Sequence, residues 1–146
     1  MFRKIRENDR EIFLELVREF YHSDAVVHPV PEQNHINTWN ELMRSEDYAQ
    51  CFILEYEGKT AGYALLSKTF SQESGGMVIW IEELYVLPEY RSKGLGKEFF
   101  DYIFSLENIS RVRLEVEPDN ERAIKLYRNM GFEQLEYLQY IRERTD

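Results

Sequence analysis

At 146 residues, with 43% apolar and 14% aromatic side chains, the chain can bury one globular core and is too short for two. Its net charge of −9, from 27 acidic and 18 basic residues, repels polyanions, and only Arg91, Lys93 and Lys97 gather basic charge; nucleic acid is excluded as a partner. No apolar run approaches the roughly 20 residues of a membrane span, and residues 1–12 alternate charged and apolar side chains, unlike a secretion leader. The expectation is a soluble, cytoplasmic protein with no membrane partner. Cys51, the single cysteine, permits no internal disulfide and sits in the apolar run Cys51-Phe52-Ile53-Leu54, where a buried structural thiol is expected.

Phe2–Ile5 reads as a short first strand. Asn8 and Asp9 then offer helix caps, and Ile12, Phe13, Leu16, Val17 and Phe20 recur at the helical period. Residues 22–34 carry His22, His28, Pro29, Pro31 and Asn34 and read as a loop, followed by a short helix over Ile36–Arg44. Two strands, Ala49–Tyr56 and Lys59–Phe70, flank a tight turn at Glu57-Gly58. A second turn over Ser71–Gly76 leads to a buried strand, Met77–Val86, rich in Val, Ile, Trp and Tyr and closed by Pro88. A helix opens at Gly94, with Leu95, Phe99, Ile103 and Leu106 on one face. Val112, Leu114 and Val116 mark another strand. Glu121–Met130 forms a short helix stopped by Gly131, and Leu135–Ile141 a final strand. With no repeat or linker to divide it, the chain is expected to be one α/β domain over residues 1–146, in the order βααβββαβαβ.

The segment Ile81-Glu82-Glu83-Leu84-Tyr85-Val86-Leu87-Pro88-Glu89-Tyr90-Arg91-Ser92-Lys93-Gly94-Leu95-Gly96-Lys97 carries the most information. A buried strand runs into a turn rich in glycine and cations, and a helix starts there. The first helical turn leaves N–H groups unpaired and partly positive, Gly94 and Gly96 leave room for a ligand, and Arg91, Lys93 and Lys97 add charge, a combination suited to a pyrophosphate. The glycines alone are equally compatible with an ordinary helix start. A Walker loop needs Ser or Thr after Gly96-Lys97, where Glu98 stands; a dinucleotide fingerprint needs a small residue at Phe99.

Arg91-Ser92-Lys93-Gly94-Leu95-Gly96, after Leu84-Tyr85-Val86, resembles the (Q/R)-x-x-G-x-(G/A) acetyl-CoA loop of the GNAT family of N-acetyltransferases. The run from Asn120 through Ala123, Leu126-Tyr127 and Gly131-Phe132 resembles the family's second block. Ser92 departs from the glycine usual there, a mild departure expected to cost little. The resemblance covers Met77–Phe132 in detail and implies a mixed central sheet of about six strands, helices on both faces, and a splayed cofactor cleft between the fourth and fifth strands. It also implies acetyl-CoA as cosubstrate. Leu84, Tyr85 and Val86 would pair with its pantetheine arm. The amides of Arg91, Ser92, Lys93, Gly94, Leu95, Gly96 and Lys97 would hold its pyrophosphate, and Asn120, with Ala123 beside it, would contact the pantetheine chain. Asn120 also suits a helix cap.

By position alone Tyr127 reads as a core tyrosine on an amphipathic helix; the resemblance makes it the expected general acid toward the departing thiolate. Glu82 and Glu83 interrupt an apolar strand, where a carboxylate is costly without a purpose. Either can take a proton from an ammonium acceptor and attract its charge. Strand neighbours face opposite ways unless a bulge intervenes, and Glu82, which matches the acidic position of the polyamine-acetylating branch, is the first choice. His22, His28 and His35 match no metal motif, so no metal is expected; their loop is placed to cover an acceptor pocket. The expected activity is direct acetyl transfer, within a ternary complex, to a primary amine of a small cationic or peptidic acceptor. The alternative is a non-catalytic acetyl-CoA sensor, and the resemblance also carries an expectation of a homodimer.

Overall fold

The computed structural model describes residues 1–23, 26 and 28–144; Asp24, Ala25 and Val27, within the expected loop, lie outside the described residues. Two compact units are present, residues 1–115 and 116–146. The first holds β1 (Phe2–Lys4), α1 (Arg10–Tyr21), α2 (Glu32–Arg44), β2 (Ala49–Tyr56), β3 (Lys59–Ser71), β4 (Gly76–Val86), α3 (Leu95–Phe104) and β5 (Ile109–Leu114). The second holds α4 (Glu121–Asn129). Among the described residues no helix is long and apolar enough to cross a membrane.

The sheet runs β1-β2-β3-β4-β5. Its first three pairings are antiparallel and β4·β5 is parallel, so the sheet is mixed. Glu57 and Gly58 both take positive φ (49° and 78°), the geometry a two-residue hairpin loop needs, and they fold β2 onto β3. Alternation then sorts side chains between the faces. Cys51, Ile53, Tyr63, Leu65 and Tyr85 pack with Phe13, Leu16, Val17, Trp39 and Leu42 of α1 and α2. On the opposite face Phe52 meets Phe99 of α3 and Phe2 of β1 at ring separations of 5.3 and 5.7 Å. The helices therefore cover both faces of the sheet. Cys51 is buried, and that burial pushes its thiol well above the ordinary range, so it is an inert part of the core.

Three expectations are corrected. The second helix starts at Glu32, after extended Pro31, four residues earlier than its apolar period suggests, so His35 is helical. Asp9 is buried and does not cap α1. Its carboxylate accepts from the Arg6 amide at 2.7 Å and from both Arg3 terminal nitrogens at 2.7 and 2.9 Å. Leu135–Ile141 forms no strand, and the sheet has five strands rather than about six. Tyr137, Leu138, Tyr140 and Ile141 are all exposed. Strand structure exists only through pairing, and among the described residues no strand pairs with this segment.

The guanidinium of Arg3 holds the Asp9 carboxyl below its usual range, against the opposing effect of burial. A depressed folded-state value means that the pair stabilises the fold above the ordinary carboxylate range and that this contribution fades as pH falls through the folded value. Arg3→Met, which leaves Asp9 buried with only the Arg6 amide, should cost about 3 kcal/mol at pH 7. Urea denaturation should show the gap between variant and parent shrinking in acid. An unchanged gap down to about pH 3 would remove the ion pair as its cause.

Candidate active site

The site is built on the C-terminal half of β4. The parallel ladder with β5 runs from Met77↔Ile109 to Ile81↔Leu114 and stops, while β4 continues to Val86 beside β3. From Glu82 to Val86, β4 therefore has no ladder partner on its β5 side among the described residues. The ladder between the fourth and fifth strands, where a splay is expected, thus ends partway along β4. On the other side β3 approaches closely. A Cβ on Gly62 would lie 2.0 Å from the Tyr85 carbonyl oxygen, so only glycine fits there.

Opposite Glu82 the β3·β4 register slips. Leu66 pairs with Ile81 and Leu65 with Glu83, leaving Glu82 as the extra residue of a bulge. Regular alternation would send the two carboxylates to opposite faces; the bulge lets both line one cavity of about 340 Å³. Its walls come from α1 (Phe13, Val17, Tyr21), α2 (Asn34, His35, Thr38), β3 (Leu65, Leu66, Ser67) and the segment before α2 (Val30).

The two carboxylates have different surroundings. Glu82 is exposed and accepts one hydrogen bond, from Ser67 Oγ at 2.6 Å. Glu83 is partly buried; Tyr63 donates to its Oε1 at 2.7 Å and Tyr21 donates to its Oε2. Burial pushes the Glu83 carboxyl up, and the two phenol hydroxyls, which favour its charged form, pull it back. Tyr21 in turn lies against the His35 ring, with centroids 5.0 Å apart. Sequence reasoning missed Tyr21 and Tyr63, and placed His35 in a loop over the acceptor pocket where it stands on α2. Tyr63 alternates in phase with Leu65 and reads as core, which it also is.

Past β4, Arg91 Nε donates to the Val86 carbonyl at 2.9 Å, and Lys93 Nζ lies 5.7 Å from the centre of the Tyr56 ring. Gly94 takes φ 81° and precedes α3, with nothing within 4 Å of where a Cβ would project. The first helical hydrogen bond runs from Glu98 N–H to the Gly94 carbonyl, so the amides of Leu95, Gly96 and Lys97 precede any carbonyl they could reach along the helix. Lys97 pairs with Asp101 at 2.8 Å. Ser92, which departs from the usual glycine, takes φ 63°, a left-handed conformation that disfavours a side chain. The departure therefore has a backbone cost. Leu84 faces α3, its Cδ2 3.9 Å from the Cβ position of Gly96, and Tyr85 is buried.

In residues 116–146, Asn120 caps α4, accepting from Ala123 N–H at 3.1 Å. Tyr127 packs against Phe132 with ring centres 5.8 Å apart, and burial pushes its hydroxyl up. His22 and His28 are exposed, and among the described residues no three His, Cys, Asp or Glu side chains come together as metal ligands.

A model of the acetyltransferase (GNAT) family matches residues 10–132. The thialysine N-epsilon-acetyltransferase of Bos taurus is 26% identical, over 92% of this chain and 85% of its own length. The spermine/spermidine N(1)-acetyltransferase of Bacillus subtilis is 27% identical, over 60% of this chain and 65% of its own. Among solved structures, a possible acetyltransferase from Clostridium difficile matches with a TM-score of 0.85 at 22% identity, covering 100% of this chain and 98% of the other. An aminoglycoside N-acetyltransferase in complex with CoA gives 0.74 at 19%, covering 99% and 100%. At these identities the structural matches speak for the fold.

The tyrosine–carboxylate contacts make a prediction. Tyr63→Phe removes one donor to a charged group and should destabilise the fold by about 2 kcal/mol. It should also raise the Glu83 carboxyl further. A raised carboxyl favours the fold below its titration and penalises it above, so the loss should be larger at pH 8 than at pH 5. Urea denaturation at both values measures this; an equal loss would mean that the Tyr63 hydroxyl does not stabilise the Glu83 charge.

Proposed function

The chain belongs to the acetyltransferase (GNAT) family, and from that premise we propose that it transfers the acetyl group of acetyl-CoA to a primary amine of a small cationic acceptor, by direct attack in a ternary complex. One observation carries the reading: the bulge in β4 places two carboxylates in a single cavity beside the half of the strand that β5 leaves unpaired. The family match runs from residue 10 to 132 and so through both compact units, which supports treating residues 1–146 as one N-acetyltransferase domain.

Acetyl-CoA supplies an activated thioester. The unpaired edge at Leu84, Tyr85 and Val86 offers main-chain groups to its pantetheine arm, and the residues present fit its pyrophosphate. The amides of Leu95, Gly96 and Lys97 have no carbonyl to reach along the helix at the positive end of α3, and a Cβ at Gly94 would project into open space; the resemblance extends the cradle to Arg91, Ser92 and Lys93. Asn120 and Ala123 keep the pantetheine contacts that the family resemblance gives them.

Glu82 accepts the proton that an ammonium acceptor must lose before it can attack. It is exposed and accepts a hydrogen bond from Ser67 Oγ, so lone pairs and water access remain to carry the proton away. Glu83, held by two hydroxyls, is a fixed anion that attracts and orients the acceptor. Tyr127 supplies a proton to the departing thiolate; its burial keeps the phenol protonated at neutral pH.

Thermal unfolding tests the cosubstrate. Acetyl-CoA at about 100 times its Kd should add about 2.7 kcal/mol, a shift of several degrees, while ATP and NAD should not. Absence of a shift would reduce the Gly94 turn to an ordinary helix start. Steady-state kinetics tests the residues. Glu82→Gln should lower kcat by about 100-fold with the acetyl-CoA shift intact, Tyr127→Phe by about 10- to 100-fold, and Glu83→Gln should act mainly on the KM for the amine. Wild-type turnover in Glu82→Gln or Tyr127→Phe would strip that residue of its role.

A further inference from the structure

Resting on that reading, we propose that the acceptor carries two ammonium groups and no carboxylate, so that free amino acids are poor substrates. The cavity that holds Glu82 and Glu83 has no lysine or arginine among its described lining residues. The elements that build the walls carry Arg10, Arg18, Arg44, Lys59 and Lys68, and none of these lines the cavity. Arg18 of α1 is paired with Glu32, Arg44 of α2 with Glu41, and Lys68 of β3 donates to the Glu46 carbonyl. His35 is the one lining side chain able to carry positive charge. It lies against the Tyr21 ring, whose hydroxyl is already committed to Glu83.

An acceptor carboxylate would therefore enter a cavity holding two carboxylates and no fixed cation. At about 5 Å and an effective dielectric near 20, one such repulsion corresponds to a factor on the order of 100 in binding. Two ammonium groups, by contrast, each find a partner: Glu83, fixed by two hydroxyls, for the one that stays charged, and Glu82 for the one that gives up its proton. The walls also include Val17, Val30 and Leu65, apolar surface that suits a short methylene chain. The chain is 26% identical to an enzyme named for an amino acid, yet its own cavity lacks a counter-ion for an amino acid's carboxylate.

The test uses the full chain with acetyl-CoA and amines of one carbon skeleton: cadaverine, L-lysine, L-lysine methyl ester and n-pentylamine. Cadaverine should exceed lysine in kcat/KM by about 100-fold, and the ester should recover to within about 10-fold of cadaverine. Pentylamine, with a single nitrogen, should fall about 10-fold below cadaverine. Thr38→Arg, which adds a cation to the α2 wall and leaves both glutamates in the sequence, should narrow the cadaverine-to-lysine ratio to under about 10. Lysine turned over as fast as cadaverine would overturn the inference while leaving the acetyltransferase reading intact, as would an unchanged ratio in Thr38→Arg. No CoA release with any of the four, while acetyl-CoA still raises the unfolding temperature, would overturn the acceptor reading and this inference with it.

Discussion

A strand that loses a neighbour halfway along leaves N–H and C=O groups that something must satisfy, and β4 does so after Ile81. The rest of residues 1–115 is arranged around that break. β3 stays tight against the other side of β4, with Gly62 fitted to the Tyr85 carbonyl, so the unpaired half cannot close the gap by drifting sideways. The turn after β4 then brings the N-terminus of α3 to the end of that half, where Leu84 meets Gly96. The open edge and the positive end of the helix are thus consequences of one interruption in the ladder.

The core under this half-strand is aromatic, and it also serves the site. Phe20 contacts Tyr63 and Tyr85 at ring separations of 6.2 and 5.6 Å, and Phe13 contacts Tyr63 at 6.2 Å. Each of these rings is anchored by packing, so the Tyr63 hydroxyl is delivered to Glu83 by a side chain with no room to turn. A polar group buried this way costs little because it is satisfied. Among the described residues that are not exposed, no buried side-chain nitrogen or oxygen lacks a partner.

Much of this was legible in the sequence. The period of Ile12 to Phe20, the Glu57-Gly58 turn, the Val- and Ile-rich run before Pro88 and the glycines at 94 and 96 each report a local preference, and local preferences survive in the fold. The α3 start and the Asn120 cap were readable for the same reason. The missing pieces all depend on distant partners. The bulge at Glu82 is a property of the pairing between β3 and β4, so residues 81–83 alone do not state it. Asp9 looked like a cap because its type favours one, but Arg3 and the Arg6 amide claimed its carboxylate. Tyr21 and His35 reach the cavity from two helices whose relative position no local pattern encodes. Leu135–Ile141 has the composition of a strand, and composition does not supply a partner.

The bulge has one more consequence, which concerns chain length. On either side of Glu82 the ladder is already in phase, Leu66 with Ile81 and Leu65 with Glu83. Removing Glu82 would therefore join two correctly paired segments and leave every core side chain on the face it now occupies. The second carboxylate is a one-residue insertion that the sheet tolerates and does not require. A lineage can gain or shed it by a single in-frame codon, changing what the cavity does while the scaffold stays as it is.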